Sequence, residues 1–332
     1  MKEEKYLTKE HTNCVRGLFA LCVVVHHLYQ YSGLFHDSYV GTFLQLLGVL
    51  SVAAFFFLSG YGLMYSADRP GYMQGFLVKR FLPLYIFYAL LIVMYSVWNW
   101  AWTGVISWQL ILQSFFFGGT VVTNGWSLQA TFVAYLLYWL IFRWIRSASV
   151  RLWSFTIGIA VYCVICRLMD LGINWYQTIP CMAFGMLYCY KKPMADMWLK
   201  RHSKLLLGVA VVLCGGCFVL SAKLDIPLLF HVLYCICFVC AVLALLYMLA
   251  DTHCINNRFF ALCGKYSLEI YVVHGLFLPL IKWQYIENVW LYVLVVLVGT
   301  ALVSAAMKPV HTWVMFRFVK NNKTQNEKKR EV

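Results

Sequence analysis

Arg16 and His27 are the residues of this sequence whose types and spacing point most directly to chemistry. They bracket RGLFALCVVVHH inside a longer apolar run. On an α-helix eleven residues make close to three turns, so the two side chains share a face, ~20° apart in azimuth and roughly 16 Å apart along the axis. An imidazole carried that deep into an apolar span is costly unless it pairs or lines a wet cavity, which makes it a functional candidate by default. Neutral imidazole, with an ordinary pKa near ~6.5, takes a proton from a hydroxyl at physiological pH and serves as a general base. The competing reading is a histidine hydrogen-bonded to a neighbouring helix. His26, ~80° around the wheel from Arg16, is read that way.

A second constellation lies in GKYSLEIYVVHGLF, where Ser267, Tyr271 and His274 stand at i, i+4 and i+7 and so project from one helical face. Entering the bilayer near Lys265, this helix carries His274 about 13 Å deep, a depth matching His27. That match suggests one shared polar cavity, with interhelical hydrogen bonding as the alternative. Glu269 falls ~140° from His274 on the wheel and is expected to pair with a different helix.

Three smaller groups complete the set. Ser59, Gly60 and Gly62, in FFFLSGYGLMY, permit either a close helix crossing or a local break, and Ser59 either bonds back to its own helix or lines a cavity. Lys79 and Arg80 mark the mouth of the third span, where they attract phosphates or act as positive-inside anchors. Asn124, Trp126 and Gln129 open the fourth span on the opposite side. There an indole with amides can stack on and hydrogen-bond a sugar, although an aromatic belt also places Trp at that level.

The elements that must position these residues are membrane helices. The 332 residues are 62% hydrophobic and 12% charged, with mean hydropathy +0.72, far from the composition of a soluble domain. Spans of about 20 apolar residues are expected near 14–34, 43–65, 81–102, 126–142, 151–169, 174–190, 204–222, 228–250, 265–282 and 287–307, an all-α polytopic fold of ten helices. The segment 104–123 is apolar but short and interrupted by glycine, so it reads as re-entrant or interfacial.

With these spans, all but Arg167, Lys223 and Lys282 of the 27 Lys and Arg residues fall on the side of the amino terminus. The positive-inside rule then puts both termini in the cytoplasm. Topology thus explains the formal net charge of +14, and no nucleic-acid partner is expected. The thirteen cysteines lie mostly in apolar runs, where cysteine behaves as a small hydrophobe, so no metal site is expected. Residues 1–318 read as one membrane domain and 319–332 as a charged, disordered tail. The first apolar run lacks a small-residue cleavage site and reads as a retained span.

Taken in order, Arg16 with His27, the LSGYG around Ser59, the FLVKRFLPLY entry, Trp126 and GKYSLEIYVVH ending at His274 resemble the acyltransferase-3 family of integral membrane acyltransferases. The resemblance covers about 16 to 282. It implies ten helices in a multi-pass membrane protein, the inner membrane in a bacterium, and an acyl-CoA donor, usually acetyl-CoA, taken from the cytoplasm. No permanently bound cofactor is implied. The acceptor would be a hydroxyl of a glycan or cell-surface polysaccharide precursor.

By position His27 is then the essential histidine and Arg16 its partner. His274 and Tyr271 orient or stabilise charge, and Arg16, Lys79, Arg80 and Ser59 are on the donor side. Trp126, Asn124, Gln129 and Ser267 are on the acceptor side. The family often has two arginines three apart at the third-helix entry, whereas here Pro83 follows Arg80 at that spacing, which either takes donor binding away from this site or shifts it to Lys79 and Arg80. Some members append a soluble extracytoplasmic domain that finishes the transfer. This chain is expected either to complete the reaction itself or to use a separate partner. The rival class is a transporter or flippase for a glycan or lipid-linked precursor, disfavoured because no pair of matched broken helices stands out.

Overall fold

The structure, a computed structural model, describes residues 6–36, 38–221, 223–224, 227–250 and 252–328, with side chains as far as 317. Among these the chain is all helical, with no strand. Its long elements are α1 (Lys9–Ser32), α2 (Tyr39–Ser66), α3 (Tyr72–Phe76), which runs through a π-turn (Leu77–Phe81) into α4 (Leu82–Thr103), α5 (Trp108–Phe115), α6 (Trp126–Trp144), α7 (Ala148–Leu168) and α8 (Pro180–Tyr190). There follow α9 (Lys192–Ser221), α10 (Pro227–Met248), α11 (Arg258–Lys265), α12 (Ser267–Val273), a 3₁₀ turn (His274–Leu276), α13 (Pro279–Lys282) and α14 (Val289–Lys328).

Among the described residues six helices are long and apolar enough to cross a membrane, within Tyr39–Ser66, Tyr72–Thr103, Ala148–Leu168, Lys192–Ser221, Leu228–Met248 and Val289–Arg317. The four remaining expected spans differ for identifiable reasons. In α1 and α6 length suffices, with 24 and 19 residues, but Lys9, Glu10, Arg16 and three histidines dilute the first. Ser, Gln, Thr and ring-bearing residues dilute the second. The stretch 174–190 is only partly helical, because Pro180 starts α8 anew after a 3₁₀ turn at Ile173–Trp175. The stretch 265–282 is broken at Tyr266 and again after Val273, ahead of Gly275 and Pro279. At the carboxyl end α14 stays helical to Lys328, into the stretch expected to be disordered, and 329–332 lie outside the described residues, as do 1–5 at the other end.

The chain divides into two compact units. The first comprises Met1–Ser66 and Leu152–Leu268. In it α1 packs on α2 and α11, α2 on α8, and α9 on α10. Glycine sets the closest of these crossings. A Cβ on Gly60 would lie 1.9 Å from the Met182 carbonyl oxygen, and one on Gly185 2.1 Å from that of Phe57, so α2 and α8 meet backbone to backbone. Close approach, of the two roles open to Gly60, is therefore the one observed, and α2 runs unbroken to Ser66.

Gly17 and Gly264 do the same for α1 and α11, with a Gly264 Cβ 1.9 Å from the Asn13 oxygen. The Asn13 amide donates to the Ala261 carbonyl at 2.8 Å in the same crossing. Such small-residue contacts are how helices associate where lipid removes the hydrophobic drive.

The second unit comprises Ala67–Arg151 and Glu269–Val332. Here α14 packs on α4 and on the π-turn, and α3 on α6. Pro83 accounts for the π-turn. It offers no N–H, and its ring crowds the carbonyl four residues back, so the preceding turn widens. The Leu82 N–H reaches the Leu77 carbonyl, five residues away.

Candidate functional site

Helix α1 begins where Thr8 accepts a hydrogen bond from the His11 N–H at 3.2 Å and ends at Gly33, whose φ of 73° closes the helix. Between these caps His26 and His27 part company. His26 is buried, its Nδ1 lies 2.8 Å from the Leu44 carbonyl of α2, and its ring covers Gly48. It is the interhelical histidine the wheel suggested. His27 is half-buried, and its Nδ1 lies 2.9 Å from the carbonyl of Val23, one turn back in its own helix. A carbonyl only accepts, so Nδ1 carries the hydrogen, and in the neutral ring the lone pair is at Nε2. This is the tautomer a general base needs. Arg16 stands on the same helix and is exposed. Ser59, half-buried on α2, belongs to the same unit.

The second unit holds His274 and Tyr271. Both are buried, and their rings meet edge to face at 6.4 Å. His274 Nδ1 lies 2.9 Å from the Ile270 carbonyl, which again puts the lone pair at Nε2. Tyr271 donates to Ser127 Oγ at 2.8 Å.

The break after α12 frees main-chain carbonyls, and nearby side chains satisfy them. Tyr95 donates to Val272 (2.6 Å), Trp98 to Leu276 (2.8 Å), Thr123 to Gly275 (3.3 Å) and Tyr292 to Leu278 (3.3 Å). Non-helical backbone inside a membrane protein survives only when so supplied. Gly275 permits the approach, since a Cβ there would lie 2.5 Å from the Tyr95 oxygen. Ser267, at the start of α12, is half-buried.

Lys79, half-buried, and Arg80, exposed, sit in the π-turn. Trp126 is the first residue of α6 and half-buried, and Asn124 just before it adopts a left-handed φ of 62°, a conformation Asn tolerates. Gln129, expected on the acceptor side, is buried. It is 1% exposed, and its amide nitrogen lies 3.2, 2.9 and 2.9 Å from the carbonyls of Gln113, Ser114 and Gly119. Together with Tyr85, which donates to Phe115, and Tyr88, which pairs with Thr120, it ties the glycine-interrupted segment onto α4 and α6. An amide buried among three carbonyls orders that loop. Glu269 pairs with another helix as expected, and the partners, Lys308 and His311 of α14, were not singled out in the sequence. Their signal was present in KPVH, a lysine and histidine three apart at the end of an apolar run.

Among the described residues no group of three or more His, Cys, Asp or Glu is placed to hold a metal. No solved structure matches the chain. An acyltransferase from Streptomyces mycarofaciens, MdmB, is 32% identical over 171 residues, which are 46% of this chain and 44% of that protein. The match thus spans less than half the length of that relative. A family model described as an acyltransferase domain matches residues 12–308, which takes in α1 with His27, the π-turn, α6 and the broken α12, and the chain accordingly belongs to the acyltransferase-3 family of multi-pass membrane acyltransferases.

Proposed function

We propose that this enzyme is an O-acyltransferase that moves an acyl group, acetyl being the expected one, from acyl-CoA to a hydroxyl of a glycan or polysaccharide precursor. The observation that carries the reading is the tautomer of His27. Its Nδ1–H is spent on the Val23 carbonyl, so Nε2 is the atom that takes the acceptor's proton as the hydroxyl oxygen attacks the thioester carbonyl. The C–S bond then breaks, and the same proton goes to the departing CoA thiolate, leaving the imidazole neutral. An alternative order, in which the acyl group rests on the imidazole before the hydroxyl takes it, uses the same lone pair.

Arg16, Lys79 and Arg80 are assigned to donor phosphates, with Ser59 on the donor side. Tyr271 and His274 are assigned to orientation and charge stabilisation. Trp126, with Asn124 and Ser267, is assigned to the acceptor. The family supports ten membrane crossings with both termini in the cytoplasm, a bacterial chain residing in the inner membrane, and a separate partner where transfer needs completion.

Reconstituted protein supplied with labelled acetyl-CoA and a mixture of hydroxyl-bearing glycans tests this reading. Label appearing on an acceptor, with one thiol released per acyl group moved, is the expected result. Vesicles that move a glycan or lipid-linked precursor across the bilayer without acylating it would replace the reading with transport.

A further inference from the structure

Glu269 is a carboxylate with none of its side chain exposed. Lys308 Nζ lies 3.2 and 3.3 Å from its two oxygens, and His311 Nδ1 pairs with one of them. The two partners sit three apart on α14 and are themselves largely covered, with side chains 22% and 14% exposed. The His311 ring is stacked on buried Phe87 of α4, 4.5 Å between centroids and 26° between planes. Two polar groups of α14 are thus fixed around one buried charge of α12.

A buried ion pair is a weak source of stability, because desolvation offsets most of the attraction, whereas removing one partner leaves a charge with nowhere to go. What such a cluster does well is fix orientation. The element it grips needs that. Helix α12 has seven residues, with a break on each side, far short of the ~12–15 at which an isolated helix begins to hold itself. Apolar contacts tolerate rotation of so short a rod. An ion pair made by both carboxylate oxygens with a second bond to an imidazole does not. Glu269 grips α12 two residues before Tyr271 and five before His274, the first residue of the 3₁₀ turn that continues the helix, so any rotation of α12 that it prevents is rotation that would carry both.

We propose that Glu269, Lys308 and His311 are positioning residues that set the rotation of α12, and through it the placement of His274 and Tyr271. The kinetic part of this inference rests on the acyltransferase reading, and the structural part does not. The experiment uses the full chain in lipid, as wild type, Lys308→Met, Glu269→Gln and the double variant. Modification of histidines by diethyl pyrocarbonate is followed residue by residue by mass spectrometry.

The expected result is a roughly tenfold rise in His274 modification in each single variant, while His26, buried in the other unit, stays protected. The double variant, having no unpaired charge, moves back toward wild type. In turnover, kcat falls about a hundredfold in the single variants, as a 1 Å misplacement does, with the KM for acyl-CoA unchanged. In a His274→Gln background the same substitutions cost nothing further.

Single variants in which His26 and His274 are both as protected as in wild type would overturn the proposal. So would a kcat loss that adds in full to that of His274→Gln. Should Glu269→Gln not fold, Lys308→Met carries the same comparison, with Lys308→Arg expected to restore protection. If the wild type moves no acyl group, the functional reading fails, and the modification pattern alone still decides the positioning role.

Discussion

An imidazole whose Nδ1–H is held by a carbonyl of its own helix has its lone pair on the other nitrogen, and both His27 and His274 are in that state. The sequence made them visible because histidine in an apolar run is rare and costly. It also separated His26 from His27 by their azimuth alone, and His26 does bond a neighbouring helix. Gln129, expected on the acceptor side, is buried for a physical reason. Its position in the chain is that of a helix entry, but the glycine-interrupted loop folds back over it and takes up its amide, a long-range event without local signature.

A second polar knot likewise has no local signature in the sequence. Tyr6 is buried, pairs with Tyr188 and donates to Asp196, whose carboxylate also pairs with Lys192. Burial pushes the Tyr6 phenol well above its ordinary value of 10.0. The folded state therefore holds a proton that the unfolded chain gives up above that pH, and stability is full below pH 10.0 and falls as pH rises beyond it. Tyr6→Phe is expected to lower the unfolding midpoint at neutral pH, by about 1–2 kcal/mol for one lost buried hydrogen bond, and to reduce the alkaline decline. Thermal unfolding in detergent from pH 7 to 11 checks both.

Helices α1, α2, α8 and α11 are placed by glycines, and here sequence reading went part of the way. The sequence around Gly60 permits a contact or a break, and the contact is what forms. Gly264, whose partner Gly17 lies 247 positions earlier in the chain, has no sequence signal of its own. Gly264→Ala puts a methyl group 1.9 Å from the Asn13 oxygen, and backbone cannot yield as a side chain does. We expect a loss of about 1–3 kcal/mol, read as a lower unfolding midpoint, with Gly208→Ala, where nothing lies within 4 Å, as the neutral control.

The π-turn is the opposite case, because Pro83 stands where the family's second arginine is expected and also reshapes the backbone before it. Pro83→Ala restores an N–H and lets the turn tighten, which turns Lys79 and Arg80 relative to α4. The expected outcome is a several-fold higher KM for acyl-CoA with the fold retained. An unchanged KM would remove the π-turn from donor binding.

At the scale of the molecule, composition points to an all-helical membrane protein, whereas ten spans are expected from the sequence and six helices among the described residues are long and apolar enough to cross. Windowed hydropathy sees a continuous apolar stretch at 265–282, but the chain breaks there because Gly275 and Pro279 interrupt the ladder and side chains of α4 and α14 accommodate the freed carbonyls. The charge distribution nevertheless makes a claim that can be checked. Cys254 is the exposed cysteine among thirteen and lies between α10 and α11, on the side assigned to the cytoplasm. A membrane-impermeant maleimide is expected to label it in inverted vesicles and not in intact cells. Labelling from outside would reverse the orientation.

If His27 Nε2 handles the acceptor's proton, acyl transfer by His27→Ala in lipid, with and without added imidazole, will show it. The expected result is a loss of about 10²–10⁴-fold in transfer, retained binding of acyl-CoA, and partial recovery as imidazole is raised. Transfer at the wild-type rate by a folded His27→Ala enzyme would contradict it.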